Sequence, residues 1–489
     1  MISEYVKEQK RYTQAELAHI LHCSEEKTVP VIRRLKQFGV LKSVKASELQ
    51  KNMSYLLEED VEVADVEVDD STYLYVFTFV GVIMVGDRVL KCYPKYIFSN
   101  GQPLAEMKQV MRVISKYNRS EEQIINLFNG DAESRSFNLL AVILFLLNDY
   151  YEYGLYSNNE NVIEVNGEGN ILWGRTIDEC FPVISNGRPY YMELFTRRTV
   201  NDETDYFHRL HQAVLTECSK QLKEAQLTEL FDIEPLELTD DEVSDFGDTD
   251  YILDRIISEL SVQFNTRKQI LLKTMYAYIA ADRRVAEMDD GVSLFGTNSF
   301  NLVWEKVCAA VFNNMLQAEL RNLPLPLPLD EDYKPLARKK LIEIIEKPVW
   351  TAAQASGDVY SHTASDTLIP DLITISEDRF IIFDAKYYNL YMEKDALRGQ
   401  PGIESITKQY LYQLAYKDFM QKHGLTKVRN CFLFPTEKDE YIDKGYAELR
   451  MLHALGLENI AVRLLPAHKV FDCYLSETTI DIEVLNLEN

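Results

Sequence analysis

The stretch Leu368-Ile369-Pro370-Asp371-Leu372-Ile373-Thr374-Ile375, Ser376-Glu377-Asp378-Arg379, Phe380-Ile381-Ile382-Phe383-Asp384-Ala385-Lys386-Tyr387 sets two apolar runs on either side of a four-residue polar turn. Short apolar runs bounded by a turn predict a β-hairpin inside a buried sheet. Side chains alternate along a strand, so Asp384 and Lys386 share a face, and Asp371 on the preceding strand projects to the same edge. Two carboxylates and an ammonium gathered in an apolar sheet cost free energy unless they share a task.

Metal-assisted phosphodiester hydrolysis is such a task. Asp371, Asp384 and the Ala385 backbone carbonyl offer hard oxygen ligands for Mg²⁺, and Mn²⁺ fits the same set. Lys386 is then placed to orient or deprotonate the attacking water and to stabilise charge on the phosphate. The PD…DxK string is short and recurs by chance; its position on two adjacent apolar strands is what gives it weight. A salt-bridged hairpin without catalysis is the plain alternative.

Flanking segments add supporting candidates. In Ser299-Phe300-Asn301-Leu302-Val303-Trp304-Glu305-Lys306-Val307, Glu305 interrupts an apolar helical pattern. It is a candidate to reach the metal through water or to ligate a second ion, or else an ordinary surface glutamate. Downstream, Gln409, Gln413 and Tyr416 recur one turn apart on a predicted helix, where they either hold a DNA phosphate or pack on the sheet.

Working outward, residues 1–48 read as a helix-turn-helix or winged-helix-like unit. Thr13 and Glu16 form a capping-box pattern, Ser24 caps a second helix, and Gly39 stops it. Arg33, Arg34 and Lys36 on that second helix are candidate DNA contacts, with a protein-docking role as the competing reading. Strand-like runs follow over 60–97, helix over about 103–154, and strands around 162–198. A further helix carries His208 and His211 beside Asp205, read as a polar face. The acidic stretch 226–250 predicts a solvated connector, and helices resume at 251–285 and 299–318. Asn322-Leu-Pro-Leu-Pro-Leu-Pro-Leu329 predicts an extended spacer.

Bulk properties bound the function. The 489 residues are enough for two to four domains, and 46% apolar content describes a folded chain. The longest apolar run, Leu139 to Leu147, is too short to span a membrane. The N-terminus lacks the apolar core of a signal peptide. Seven scattered cysteines without C-x-x-C spacing predict reduced thiols in a cytoplasmic protein. His19, His22 and Cys23 lie close together, but a fourth zinc ligand is missing. A net charge of −25 argues against a wholly nucleic-acid-binding surface, yet the charge is uneven. Residues 229–259 carry twelve acids and one base, whereas 1–45 carry a net of +4 and 380–430 a net of +3.

Taken together, the helix with Phe300…Trp304-Glu305, the Pro370-Asp371 strand, Asp384-Ala385-Lys386 and Gln413-Leu414-Ala415-Tyr416 resemble the McrC-like nuclease subunits of restriction systems. The resemblance is to the LlaJI-type restriction endonucleases, within the PD-(D/E)xK superfamily. Phe79-Val-Gly-Val-Ile83, Lys91-Cys-Tyr-Pro-Lys-Tyr96, Leu172-Trp-Gly-Arg-Thr176 and Gly187-Arg-Pro-Tyr-Tyr191 look like features of that family's N-terminal half. The resemblance implies an α/β multidomain chain. To the winged-helix-like unit (1–48) and the acidic connector (226–250) read from the residues, it adds a mixed α+β partner-docking domain (60–225) and a PD-(D/E)xK endonuclease domain (251–489), a mixed sheet flanked by helices. It implies a Mg²⁺-dependent type II/IV-like restriction endodeoxyribonuclease that cuts double-stranded DNA with a McrB-like AAA+ GTPase or ATPase hexamer and stimulates that motor. The sequence has no G-x-x-x-x-G-K-S/T loop, so no nucleotide site of its own is expected. The winged-helix-like extension is not a feature of the McrC core. Two other readings stay open: a non-catalytic adaptor between DNA and an NTPase, and a stand-alone DNA repair nuclease.

Overall fold

Leu372–Ser376 and Arg379–Ala385 form the expected antiparallel hairpin, with Ser376 paired to Arg379 across the turn. Glu377 takes a left-handed φ of 54°, which lets so tight a connection close. The second strand is buried along all seven residues because it is central. It pairs in parallel with Lys427–Thr436, which pairs in parallel with Ile460–Pro466; Ile442–Ala447 closes the five-stranded sheet antiparallel at the far edge. The computed structural model describes residues 2–45, 73–86, 88–99, 101–120, 139–157, 159–201, 205–287, 292–353, 359–457 and 459–487. The strand signal of 60–72, Asp87 within the same strand-like run and the helical signal of 121–138 lie outside these residues.

The chain is mixed α/β and divides into two compact units, Ile125–Leu294 and the paired segments Ile2–Ile124 and Phe295–Asn489. In the larger unit, Ile373, Ile375, Phe380 and Ile382 pack against Tyr412, Tyr416 and Phe419 of the helices Ile403–Ala415 and Lys417–Lys422. The other side receives Phe300–Val311, with Phe312 stacked on Phe383 at 5.4 Å. That helix ends at Val311, short of the expected 318, because Asn313 turns left-handed. The leucine–proline segment is no spacer: Leu323 is buried in the same cluster, and Leu325 and Leu329 pack against it.

The N-terminal residues keep their helix-turn-helix pattern. Thr13 and Glu16 close the capping box around Gln14–Ile20, and Glu25–Gln37 ends before Gly39 at φ +69°. Ser24 occupies the N-cap position without a side-chain capping bond. These residues share sheets with later ones. Ile2–Lys7 pairs in parallel with Arg88–Tyr93, and Arg11–Tyr12 and Leu41–Lys45 flank Tyr73–Phe77. The compact units therefore cut the chain differently from the sequence partition.

In the smaller unit Leu139–Tyr153, Thr249–Val262, Thr266–Glu287 and Tyr206–Glu224 pack on one another, and Asn159–Val165, Phe195–Asn201 and Asn170–Ile171 form a three-stranded sheet. Arg267 forks onto Asp149 at 2.7 and 3.2 Å. His208 and His211 are not a polar face but a buried clamp: Nδ1 of His208 bonds the Tyr156 carbonyl at 2.8 Å, and the Tyr156 N–H donates to Nδ1 of His211 at 3.0 Å. The acidic stretch is not a free connector either. It lies along Tyr206–Glu224, its Leu236 and Leu238 N–H groups donating to Ser219 and Thr216 and its Asp241 meeting Arg209 at 2.7 Å. Among the described residues no helix is long and apolar enough to cross a membrane.

Candidate active site

Leu372 pairs with Phe383, so the start of the first hairpin strand and the end of the second lie side by side. Asp371 sits immediately before its strand rather than on it, and its Oδ2 accepts a hydrogen bond from the Ala385 N–H at 2.8 Å. Asn314 fixes the backbone there: its Nδ2 donates to the Asp371 carbonyl at 3.3 Å and its Oδ1 accepts from the Ile373 N–H at 3.1 Å. The Lys386 N–H donates to the Leu433 carbonyl at 2.9 Å, and Trp304 Nε1 donates to the same oxygen at 3.2 Å. One carbonyl thus ties the end of the central strand to the helix that carries Glu305.

Lys386 Nζ stands 2.9 Å from Asp384 Oδ1. Burial, the Asp384 charge and a hydrogen bond that the protonated carboxyl donates to Asp384 hold Asp371 far above the ordinary carboxylate range, with Glu305 adding to the effect and Lys386 opposing it. Burial also raises Glu305, with Asp384 adding to it and Lys386 offsetting it. For Lys386, burial works against the charge, but Asp384 and Asp371 outweigh it and the ammonium is favoured. Three carboxylates therefore converge on a single ammonium, and the cluster is short of positive charge. Among the described residues no three His, Cys, Asp or Glu side chains gather closely enough to enclose a metal unaided. What the site offers a cation is two carboxylates and the Ala385 backbone carbonyl, a hard-oxygen set.

The helix Ile403–Ala415 divides its candidates. Gln409 is fully buried, and neither amide atom has a hydrogen-bond partner, an orphaned polar group of the kind that marks an incomplete site. Gln413 is engaged elsewhere, accepting from Asn430 Nδ2 at 2.7 Å. Tyr416 does not face the cluster: its hydroxyl donates to the Leu341 carbonyl and its ring packs on Phe380. Tyr412 takes the place expected for it. Its hydroxyl donates to the Ile369 carbonyl at 2.9 Å, and beyond burial it feels Asp384, Asp371 and Glu305. Tyr412 and Asn314 were both missed from sequence; the i, i+3 spacing from Gln409 points to the first, and no local signal marks the second. Arg33 and Lys36 are exposed on Glu25–Gln37, and Arg34 is half-buried. His19, His22 and Cys23 form no metal cluster, and all seven cysteines are free thiols.

The LlaJI restriction endonuclease family matches residues 79–465. A Bacillus subtilis (strain 168) protein, the type II restriction enzyme BsuMI component YdjA, is 27% identical over 427 residues, 85% of this chain and 84% of its own. Among solved structures, a half-complex of Thermococcus gammatolerans McrB AAA+ hexamers with bound McrC aligns with TM-score 0.39 and 14% identity, over 97% of this chain and 99% of that one. A second McrBC complex from the same organism aligns with TM-score 0.21 and 13% identity, over 56% of this chain and 79% of that one. With the family matched across most of its length, the chain belongs to the LlaJI restriction endonucleases.

Proposed function

We propose that this chain is the Mg²⁺-dependent DNA endonuclease subunit of a restriction system, with a PD-(D/E)xK-type centre of Asp371, Asp384 and Lys386. The observation that carries the reading is the junction at one end of the hairpin, where Asp371 bonds the Ala385 N–H and Asp384 holds Lys386. A bound Mg²⁺ or Mn²⁺ lowers the pKa of a water and offsets charge gathering on the phosphate. Asp371, Asp384 and the Ala385 carbonyl are the oxygens that would hold it, and the site's shortage of positive charge fits such an occupant. Lys386 keeps its proton, so it acts as a donor: anchored by Asp384, it directs N–H groups to the attacking water and to a non-bridging phosphate oxygen. The water oxygen bonds to phosphorus as the ester P–O bond breaks, the proton the water loses passing to solvent and the departing sugar oxygen taking one from solvent. Glu305, coupled to Asp384 and Lys386, and the partnerless Gln409 amide are the further polar groups this reading assigns to the site.

Cutting is coupled, in this reading, to a McrB-like AAA+ NTPase whose hydrolysis the chain stimulates. The sequence lacks a phosphate loop of its own, and the Bacillus relative is named as one component of an enzyme. Free thiols fit a reducing, cytoplasmic setting. The test is cleavage of methylated and unmethylated plasmid DNA in Mg²⁺, by wild type and Asp384→Asn, with and without the AAA+ partner and NTP. Cutting by wild type alone among the two, and with partner and NTP only, is expected. Cutting without a partner points to a stand-alone repair nuclease, and absence of Asp384-dependent cutting points to an adaptor.

A further inference from the structure

The site residues lie at one end of the hairpin, and the chain both enters and leaves that end through an exposed two-stranded ribbon. The upstream ribbon pairs Val349–Ala353 with Val359–Thr363, and Thr363 precedes Asp371 by eight residues. The downstream ribbon pairs Tyr391–Glu393 with Ala396–Arg398, and Tyr391 follows Lys386 by five. Each is a sheet of two strands only. Their bases are fixed. Thr367 Oγ1 donates to the Glu346 carbonyl at 2.7 Å and Tyr412 holds the Ile369 carbonyl on the upstream side. Asn389 Nδ2 donates to the Lys95 carbonyl at 3.0 Å on the downstream side.

These ribbons carry the wrong residues for bare solvent. All five residues of Val359–Thr363 are exposed, and Trp350 is 73% and Tyr391 52% exposed. Thr351 and Ser361 hydroxyls face each other at 2.8 Å on the same exposed surface. Arg338, Lys339 and Lys347 lead into the upstream ribbon, exposed and without an ion pair among the described residues. Residues 334–363 hold five Lys/Arg against three acids in a chain whose net charge is −25. Unpaired cations, hydroxyls and amphipathic aromatic rings are the groups that contact phosphate and sugar, and a two-stranded ribbon has the width of a major groove.

We propose that the two ribbons are the duplex-DNA contact surface of this chain, gripping the backbone on either side of the phosphate presented to Asp371, Asp384 and Lys386. The proposal rests on the nuclease reading of that site. Its contacts are to backbone, so they position the duplex without selecting its sequence.

The test is binding of a fluorescent duplex to the full chain with Ca²⁺ in place of Mg²⁺, read by anisotropy across a salt series. The variants are Arg338→Ala/Lys339→Ala/Lys347→Ala, Trp350→Ala and the control Tyr416→Phe, each compared with wild type at a temperature well below its melting point. The triple variant is expected to bind about tenfold or more weakly, with a salt slope shallower by about 2 to 3. Trp350→Ala is expected to lose about three- to tenfold, and Tyr416→Phe, whose hydroxyl bonds the Leu341 carbonyl away from the cluster, to bind like wild type. Wild-type binding by both ribbon variants overturns the proposal while leaving the nuclease reading intact. So does a Trp350→Ala chain that changes from dimer to monomer at unchanged DNA affinity, which assigns the face to a second copy. A wild-type chain that binds no duplex overturns it as well. Retained cutting by Lys386→Ala in Mg²⁺ fails the nuclease reading separately, because that readout is cleavage and the ribbon test reads binding.

Discussion

The Tyr387 hydroxyl donates a 2.5 Å hydrogen bond to Glu8, a residue 379 positions earlier in the chain. Glu8 also accepts from the Lys95 N–H at 3.0 Å, and the Lys95 ammonium sits 4.4 Å above the Tyr387 ring. All three are buried. Burial raises the Glu8 carboxyl and draws Lys95 down to about 8 against the pull of Glu8. The residue next to Lys386 is thereby locked to the N-terminal strand.

Glu8→Ala leaves the buried Lys95 N–H and Tyr387 hydroxyl without their acceptor and removes the charge that favours the Lys95 ammonium, and each buried donor left unsatisfied costs about 1–3 kcal/mol. The variant should melt far below wild type. Adding Lys95→Met should recover part of the loss, since an apolar replacement of the whole pair is often neutral. A denaturant series on the two single variants and the double variant reads the coupling; additive losses would show that the pair does not interact.

At Gly81, an added Cβ would sit 2.2 Å from the Phe295 carbonyl oxygen and 2.6 Å from Gly296 Cα, at a φ of +145°. Backbone cannot yield as a flexible side chain can. Gly81→Ala should destabilise the larger unit by about 2 kcal/mol or more, read by thermal or chemical unfolding. A near-neutral result would mean that the strands Val80–Val85 and Val292–Thr297 approach less closely than described.

His211 supplies a pH signature for the smaller unit. Burial, with Arg267 and His208 adding to it, lowers its pKa to about 3. The folded form therefore keeps a neutral ring while the unfolded chain takes up a proton below about 6.5. This contribution to stability is present above that pH and is lost as pH falls from about 6.5 toward 3. His211→Gln should melt less steeply with falling pH over that window. It should also cost about 1–3 kcal/mol at neutral pH through the weakened bond from the Tyr156 N–H. Parallel pH slopes for variant and wild type would refute the assignment.

Gln409 and Tyr416 separate two roles on one helix. Tyr416→Phe removes only the bond to the Leu341 carbonyl, so it should cost stability, about 1 kcal/mol, and leave the cleavage rate within a few-fold. Gln409→Leu fills the same space without an amide, relieves an orphaned polar group and should stabilise the fold while slowing cleavage. Single-turnover rates alongside melting curves check both. A Gln409→Leu enzyme that is more stable and equally fast would reduce Gln409 to packing.

Local signals were legible and distant partnerships were not. The hairpin around Glu377, the Thr13–Glu16 cap and the Gly39 stop all depend on neighbours within a few residues. The Asp371–Asp384–Lys386 cluster was legible because strand periodicity and one tight turn bring it together. Gln409, Tyr412 and Tyr416 are close in sequence, but which of them faces the carboxylates depends on how their helix rolls against the sheet. His208 and His211 read as a polar face because their partner, Tyr156, lies some fifty residues away. The acidic stretch read as a linker because charge density is visible in sequence, whereas the Ser219 and Thr216 hydroxyls that fasten it are not. Glu8 met Tyr387 only once both sheets were assembled.

The most direct measurement is the single-turnover rate of DNA cleavage in Mg²⁺ by wild type and Lys386→Ala, each with the AAA+ partner and NTP, at matched melting temperature and matched DNA occupancy. Loss of a charged donor aimed at the transition state predicts a fall of about 10²–10³-fold or more, with partner binding and NTP hydrolysis unchanged. A Lys386→Ala chain that cuts at the wild-type rate would contradict the assignment of this site.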